Sequence, residues 1–429
     1  MQKYIKENWF FILLIISFTA LYYFGLSLVP FHPDESTHIF MSQDTELLFT
    51  QPLSLSWEQG QPYSNEIMLR SLGAPLTKYL IGLSRLITNV PQLAADWNWS
   101  LSWDDNIAAG SLPSQRLLLT SRATTTFLLP FALIFLYTAI KKVYFKTTAI
   151  VAVIFLGLNP LLLLHGRRAM NEAAALLGIC FFIWAISQEK IRPWLLGLTL
   201  AIAFAAKQAT IALLPIGIIA VCKPFKIPSD PNSIAKRFAV LCFFFAVITY
   251  SINPFFWRNP IQSAIYSHKI TTELKTNQLA DYYPLAEDIK KQTLPYRTIV
   301  LFANLYLSQP RTADVGNYLD EIKSQETAYF NFPLHNFGRR KIPATVFLVL
   351  SFTGFILGIV RTFSHSETSK STTIYFLLAT TLQFFGILFF LPLPWQRYII
   401  PLLPFSCIWA SLGLTPLLSH LNYPKRNNS

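Results

Sequence analysis

Charge is what this sequence has least of. Only 13% of its 429 residues are Asp, Glu, Lys or Arg, against roughly 25% in a soluble globular domain. Cysteine is scarce as well: Cys180, Cys222, Cys242 and Cys407 each fall inside an apolar run. They read as buried free thiols, with neither a disulfide framework nor zinc-type spacing. No internal repeat and no low-complexity tract is present.

What fills the space is hydrocarbon. Hydrophobic residues make up 52% of the chain, mean hydropathy is +0.39, and the expectation is an all-α polytopic membrane protein. Trp9–Val29 carries no charge over 21 residues, enough to cross the roughly 20-residue hydrocarbon core. It is too long for a signal-peptide core and no small-residue cleavage site follows, so it reads as a retained anchor. The net charge of +13 is explained by basic loops beside anionic lipid rather than by nucleic acid, for which no basic-aromatic groove or motif is visible.

About ten apolar runs follow one another, near 9–29, 123–140, 147–164, 171–187, 193–206, 208–222, 237–252, 342–360, 372–391 and 398–420. The fifth and sixth abut at Lys207-Gln208 and read as a re-entrant pair or one broken helix. With Lys3 and Lys6 cytoplasmic, the same side receives Lys141, Lys142, Lys146, Lys190, Arg192, Lys223, Lys226, Lys236, Arg237, Arg361, Lys370, Lys425 and Arg426. Only Glu7, Glu189, Asp230 and Glu367 oppose them, so every cytoplasmic segment is net basic and both termini are cytoplasmic. The other side receives two long segments, 30–122 and 253–341. In the first, Leu69–Val90 has apolar residues at helical spacing with Arg70, Lys78 and Arg85 between them. That pattern predicts an interfacial helix whose basic side chains reach for headgroups. Trp57, Trp97, Trp99 and Trp103 are expected as interfacial anchors. Asp281-Tyr282-Tyr283-Pro284 and Asn331-Phe332-Pro333 suggest partial order in the second segment.

Where the chain leaves its first span it reads Phe31-His32-Pro33-Asp34-Glu35-Ser36-Thr37-His38. Two carboxylates beside a bilayer are costly and functional by default. The predicted topology brings Lys78, the His165–Glu172 cluster, Lys207 and Arg397 to the same face. Arginine grips phosphate by a fork and lysine as a point charge. A nearby carboxylate can take a proton from an attacking hydroxyl, and cations stabilise a departing phosphate. The competing reading of Asp34 is a helix N-cap; Glu35 reads as an assistant, a metal ligand or an ion-pair partner. His32 and His38 read as packing or hydrogen-bonding groups, with His32 and Asp34 as part of a divalent site left open. Arg167 and Arg168 compete for one role, since either also reads as a snorkelling residue. Lys207, alone between two apolar runs, is functional by default, and Arg397 has similar standing.

The ordered set of these segments resembles a family. The chain is similar to GT-C class integral-membrane glycosyltransferases, in the group of dolichyl-phosphate-mannose–protein mannosyltransferases and bacterial aminoarabinose transferases. His32-Pro33-Asp34-Glu35 matches the acidic motif of the first extracytoplasmic loop. Gly73-Ala74-Pro75-Leu76-Thr77-Lys78 resembles the Pro-Pro-Leu stretch, with Ala74 in place of the first proline. Asn159-Pro160 through Glu172 resembles the Asn-Pro…Arg-x-x-x-x-Asp/Glu pattern, Ala206-Lys207-Gln208 through Pro215 the Thr-Lys…Leu-Pro segment, and Gln396-Arg397-Tyr398-Ile399-Ile400-Pro401 the Arg-Tyr-x-x-Pro element. The likeness covers roughly residues 5–260 and 375–405. It departs at Ser36-Thr37-His38, where the family often has tyrosine or arginine.

The resemblance implies a GT-C-like fold and inverting transfer of a sugar from a polyprenyl-phosphate donor to an acceptor hydroxyl. Asp34 and Glu35 would be catalytic, and Arg167, Glu172, Lys207, Arg397, Tyr398 and Lys78 would hold the phosphate or substrate. No cofactor is certain and a divalent metal ion stays open. The acceptor (protein, lipid or glycan) is not specified. The expected location is the bacterial cytoplasmic (inner) membrane. The rival is a transporter or flippase of an anionic lipid or sugar, which predicts inverted repeats and charges at the midplane; a third reading is a non-catalytic assembly subunit.

Overall fold

Apolar runs of this length have one way to satisfy their backbone away from water, which is to coil. The computed structural model describes residues 2–222, 231–282, 293–313, 316, 318–364, 367–391, 393 and 395–421. Among them the regular elements are helices, with no strand. Lys223, Lys226, Asp230, Tyr283, Pro284, Lys425 and Arg426, used above, lie outside the described residues.

Six helices are long and apolar enough to cross a membrane: Glu7–Phe24, Gln115–Val143, Pro231–Ile252, Lys341–Phe363, Lys370–Phe390 and Gln396–Pro416. The other four expected spans are shorter apolar helices, Lys146–Gly157, Glu172–Ile186, Pro193–Ala206 and Gln208–Cys222. Of about ten expected spans, six are single helices of membrane-crossing length among the described residues, and the reason the others are shorter is local. The Asn159 side chain caps a new short helix, Pro160–His165, by accepting the Leu161 amide at 3.0 Å, and Pro160 has no amide with which to continue the previous turn. At Lys207 the backbone is extended (φ −159°, ψ 118°), and a 3-10 turn, Gln208–Leu213, leads into Leu214–Cys222. The Thr210 hydroxyl and amide both donate to the Lys207 carbonyl, at 2.9 and 3.0 Å. The fifth and sixth runs are therefore a helix, a break and a helix.

One large core joins these helices, with Leu133, Leu136, Phe182, Ile183, Leu200, Phe376, Phe405 and Ile408 fully buried. Its tightest approach is between Lys341–Ser364 and Leu403–Leu421. A Cβ on Gly354 would lie 1.7 Å from the Trp409 carbonyl oxygen, and one on Gly413 would lie 2.2 Å from that of Leu350. Small residues at such a crossing let backbones pack where lipid offers no hydrophobic drive. By contrast Phe243, Val247, Ile342, Val346, Phe352, Ile356 and Phe363 are exposed, an apolar surface of the kind a bilayer covers.

The first long segment pairs its basic residues with its own acids. The expected helix over Leu69–Val90 is two helices, Asn65–Ser71 and Leu76–Ile87, separated where Gly73 and Ala74 take φ of 74° and 60°. Arg70, Lys78 and Arg85 do not reach outward. Arg70 and Lys78 both bind the buried Asp44, at 2.6 Å each, and Arg85 pairs with Glu46. The acids of the helix Asp44–Thr50 thus take the cations that the pattern assigned to lipid. Two of the expected tryptophan anchors are packed as well: Trp97 is buried against Phe31, Trp103 and Tyr318, and Trp57 stacks on Tyr266. Trp99 stays exposed.

Candidate active site

The acidic motif begins a helix, Pro33–Phe40. His32 caps it: Nδ1 accepts the Asp34 amide at 3.1 Å, and Glu35 Oε2 accepts the His32 amide at 3.2 Å. This is a capping box with proline at the first helical position. Burial, followed by the charges of Arg168, Arg397 and His165, holds the His32 ring well below the ordinary imidazole pKa, so Nδ1 keeps its lone pair at neutral pH.

The two carboxylates then part company. Glu35 is fully buried and receives a fork from Arg122, Nε to Oε1 and Nη2 to Oε2, each at 2.7 Å. The Ala169 amide adds a third bond to Oε1 at 2.9 Å. Arg122 is saturated in turn, donating to the carbonyls of Val29 at 2.7 Å and Leu26 at 3.0 Å. The Glu35 carboxylate is therefore a clamp between the first span, the Gln115–Thr126 helix and the turn before Glu172. Of the readings left open for it, the ion-pair partner is the one its contacts match.

Asp34 keeps one quarter of its side chain accessible and pairs with Arg397 Nη1. Arg397 sits over two aromatic rings, its Cζ 4.7 Å from the Trp395 centroid and 5.5 Å from that of Tyr398, within cation–π reach of both. The Arg397 carbonyl accepts from Lys207 Nζ at 2.8 Å, and the same ammonium donates to Glu172 Oε1 at 2.9 Å. It also lies 5.7 Å from the Tyr398 ring. Asp34, Glu172, Lys207, Arg397 and Tyr398, from four separate stretches of sequence, thus meet at one place. The extended backbone at Lys207 is what leaves its ammonium there. Glu172 Oε2 and both ring nitrogens of His165 are buried with no hydrogen-bond partner among the described residues.

Arg167 and Lys78 are drawn elsewhere. Arg167 donates Nη2 to His335 Nε2 at 2.8 Å, sits 5.9 Å from the Tyr329 ring centroid, and bonds the Leu163 carbonyl. Arg168, the other candidate, donates to the Pro30 carbonyl at 3.2 Å and to the Thr312 carbonyl, and its charge reaches His32. Of the two arginines, Arg168 is thus the one bonded next to the start of the Asp34 helix, while Arg167 turns to His335 and Tyr329. Lys78 is held by Asp44. Burial works against the Asp44 charge, but Lys78 and Arg70 prevail and keep that carboxyl below its ordinary pKa.

Among the described residues no group of three His, Cys, Asp or Glu side chains is close enough to hold a metal ion. The His32–Asp34 pair considered for one has other employment, since His32 Nδ1 is bonded to the Asp34 amide and Asp34 to Arg397. Sequence reasoning missed Arg122 and Gln396. Arg122 sits inside the membrane-long helix Gln115–Val143, and that position was its signal. Gln396 has no signal in the sequence, yet it is fully buried and joins residues 309 and 311 to Arg397: Nε2 donates to the Gln309 carbonyl at 2.7 Å and Oε1 accepts the Arg311 amide at 2.6 Å.

No protein-family model matches the chain, and no curated protein matches it. Three solved structures of the Archaeoglobus fulgidus oligosaccharyltransferase are similar to it. The complex with zinc and sulfate gives a TM-score of 0.49 at 14% identity, over 95% of this chain and 49% of that one. The apo form gives 0.48 at 13%, over 96% and 51%. The form tethered to an acceptor peptide with the NVT sequon gives 0.49 at 12%, over 98% and 51%. This chain spans about half the length of those proteins. Similarity of that size does not by itself define family or activity.

Proposed function

We propose that the chain is a membrane glycosyltransferase of the GT-C class that takes its sugar from a polyprenyl-phosphate donor on the extracytoplasmic face. The observation that carries this reading is the meeting of Asp34 with Arg397 and Lys207, charges separated by hundreds of residues. The mannosyltransferase-like motif order supports it, and so does the excess of Lys and Arg in the short loops of the opposite side.

In this reading Arg397 and Lys207 bind the donor phosphate, Arg397 by its fork and Lys207 as a point charge. Tyr398 and Trp395 lie within cation–π reach of the guanidinium, and Glu172 holds the lysine. A phosphate competes with Asp34 for Arg397, so donor binding releases the carboxylate for its other task. Asp34 takes the proton of an acceptor hydroxyl as that oxygen bonds to the anomeric carbon. The carbon–oxygen bond to phosphate breaks, and the polyprenyl phosphate departs with the electron pair, stabilised by the two cations. Attack opposite the leaving group inverts the anomeric centre. Glu35 acts through Arg122 as a positioning residue that fixes the start of the Asp34 helix.

The test is transfer from labelled polyprenyl-phosphate sugars by the full chain in proteoliposomes. Asp34→Asn is expected to lower the transfer rate by at least about a hundredfold, the scale of a lost general base. Full transfer by that variant contradicts the base assignment. Movement of the labelled lipid across the bilayer without transfer favours a flippase.

A further inference from the structure

The second long segment forms a cleft of about 580 Å³ between residues 308–313 and the stretch 319–330, a volume ordinary for small-molecule sites. Its wall is tied to the candidate active site at three points. Gln396, next to Arg397, clasps Gln309 and Arg311 through their backbones. Arg168 links the Thr312 carbonyl to that of Pro30. The Phe31 amide, three residues before Asp34, donates to Gln325 Oε1 at 3.0 Å. The floor is firm: Thr312 and Ile322 are buried, and the Thr312 hydroxyl donates to Glu326 Oε1 at 2.7 Å.

We propose that this cleft binds the acceptor and that the acceptor is a neutral saccharide, an inference that rests on the glycosyltransferase reading above. Among the described residues the charged lining groups are Arg311, Lys323, Asp320 and Glu326, two of each sign. Phosphate and other anions are gripped by cations, and the described lining shows no surplus of them. Donors and acceptors in equal number match a ligand whose every hydroxyl both gives and takes a hydrogen bond. Leu319 and Phe330 supply an apolar wall for the C–H face of a sugar ring. One hydroxyl of the bound saccharide forms the new glycosidic bond, its proton passing to Asp34 and the polyprenyl phosphate leaving.

Lys323 and Asp320 are exposed, so their side chains can be cut without opening the core. Binding is measured by fluorescence polarisation on the full chain in nanodiscs. The probes are labelled neutral mono- and disaccharides, with a labelled Ser/Thr-rich peptide and inorganic phosphate as separate competitors. At least one saccharide is expected to bind saturably. Lys323→Ala and Asp320→Asn should each weaken it by about tenfold, the scale of one hydrogen bond to a charged group. Asp34→Asn should leave binding within about twofold. The proposal is overturned if no saccharide binds, if binding ignores both cleft substitutions, or if the peptide or phosphate shows that dependence instead. Saccharide binding with the expected dependence, together with full transfer by Asp34→Asn, upholds the cleft and refutes only the catalytic reading.

Discussion

Asp34 and Glu35 are neighbours in sequence that the fold puts to different uses. Asp34 stays partly open and faces Arg397, whereas Glu35 is sealed into a fork with Arg122. Removing one partner of a buried pair leaves the other charge stranded, at about 3–5 kcal/mol. Glu35→Ala is therefore expected to lower stability by about that amount, read by thermal unfolding in detergent. The fraction that stays folded should transfer sugar more slowly, but with a loss well short of that of Asp34→Asn; a stable variant whose rate collapses as far would make Glu35 catalytic. His335 offers a second test. Its Nδ1–H donates to the Tyr329 carbonyl at 2.7 Å and its Nε2 accepts from Arg167. Burial, then the Arg167 charge, lowers its pKa to about 4. The unfolded ring titrates near 6.5, so between those values the unfolded chain binds more protons and stability rises with pH. The contribution is complete above about 6.5 and lost as pH falls toward 4. His335→Gln should flatten the stability profile in that window, and an unchanged slope would count against the ring as its source. At this scale the sequence announced Lys207 and Arg397 by their isolation in apolar surroundings. It could not choose between Arg167 and Arg168, because adjacent residues in a turn point to different neighbours and only the packed fold says which neighbour is where.

At the scale of elements, hydrophobic runs located the apolar helices but not polar ones such as Pro33–Phe40 and Pro260–Tyr282, and the run read over 147–164 passed through the break at Asn159-Pro160. What the runs left open was which helices stand long enough alone. The basic residues of the first long segment were weighed without their partners: Asp44 and Glu46 lie some 25 to 40 positions away from Arg70, Lys78 and Arg85, beyond the reach of a helical pattern. Ala74 is instructive in the same way. Its φ of 60° is closed to proline, whose ring fixes φ near −65°, so the departure from the Pro-Pro-Leu pattern reflects a different turn rather than a neutral swap. The crossing at Gly354 and Gly413 predicts its own fragility. Gly354→Val places branched carbon on the Trp409 carbonyl, and an overpacked contact costs typically about 1–3 kcal/mol. Measured by thermal unfolding, this variant should be destabilised by at least that much, while Val at the exposed Ile356 should be neutral; equal stability of the two would show the helices free to part.

For the whole molecule, the pieces that matter come from distant stretches: Asp34, Glu172, Lys207, Arg397 and Tyr398 meet at one place, and Gln309, Arg311, Thr312 and Gln325 are bonded to residues beside it. No local pattern reports such an arrangement; the order of motifs suggested the company, and the fold supplied the pairings. The central claim is that Arg397 and Lys207 hold a donor phosphate beside Asp34. The most direct measurement is a structure of the full chain in nanodiscs with a polyprenyl-phosphate sugar. The account predicts the phosphate in charge-assisted contact with Arg397 and Lys207, within about 3 Å, and the Asp34 carboxylate released toward the anomeric carbon. A phosphate bound elsewhere, or one more than about 10 Å from Asp34 and so beyond general-base reach across a sugar, would contradict it.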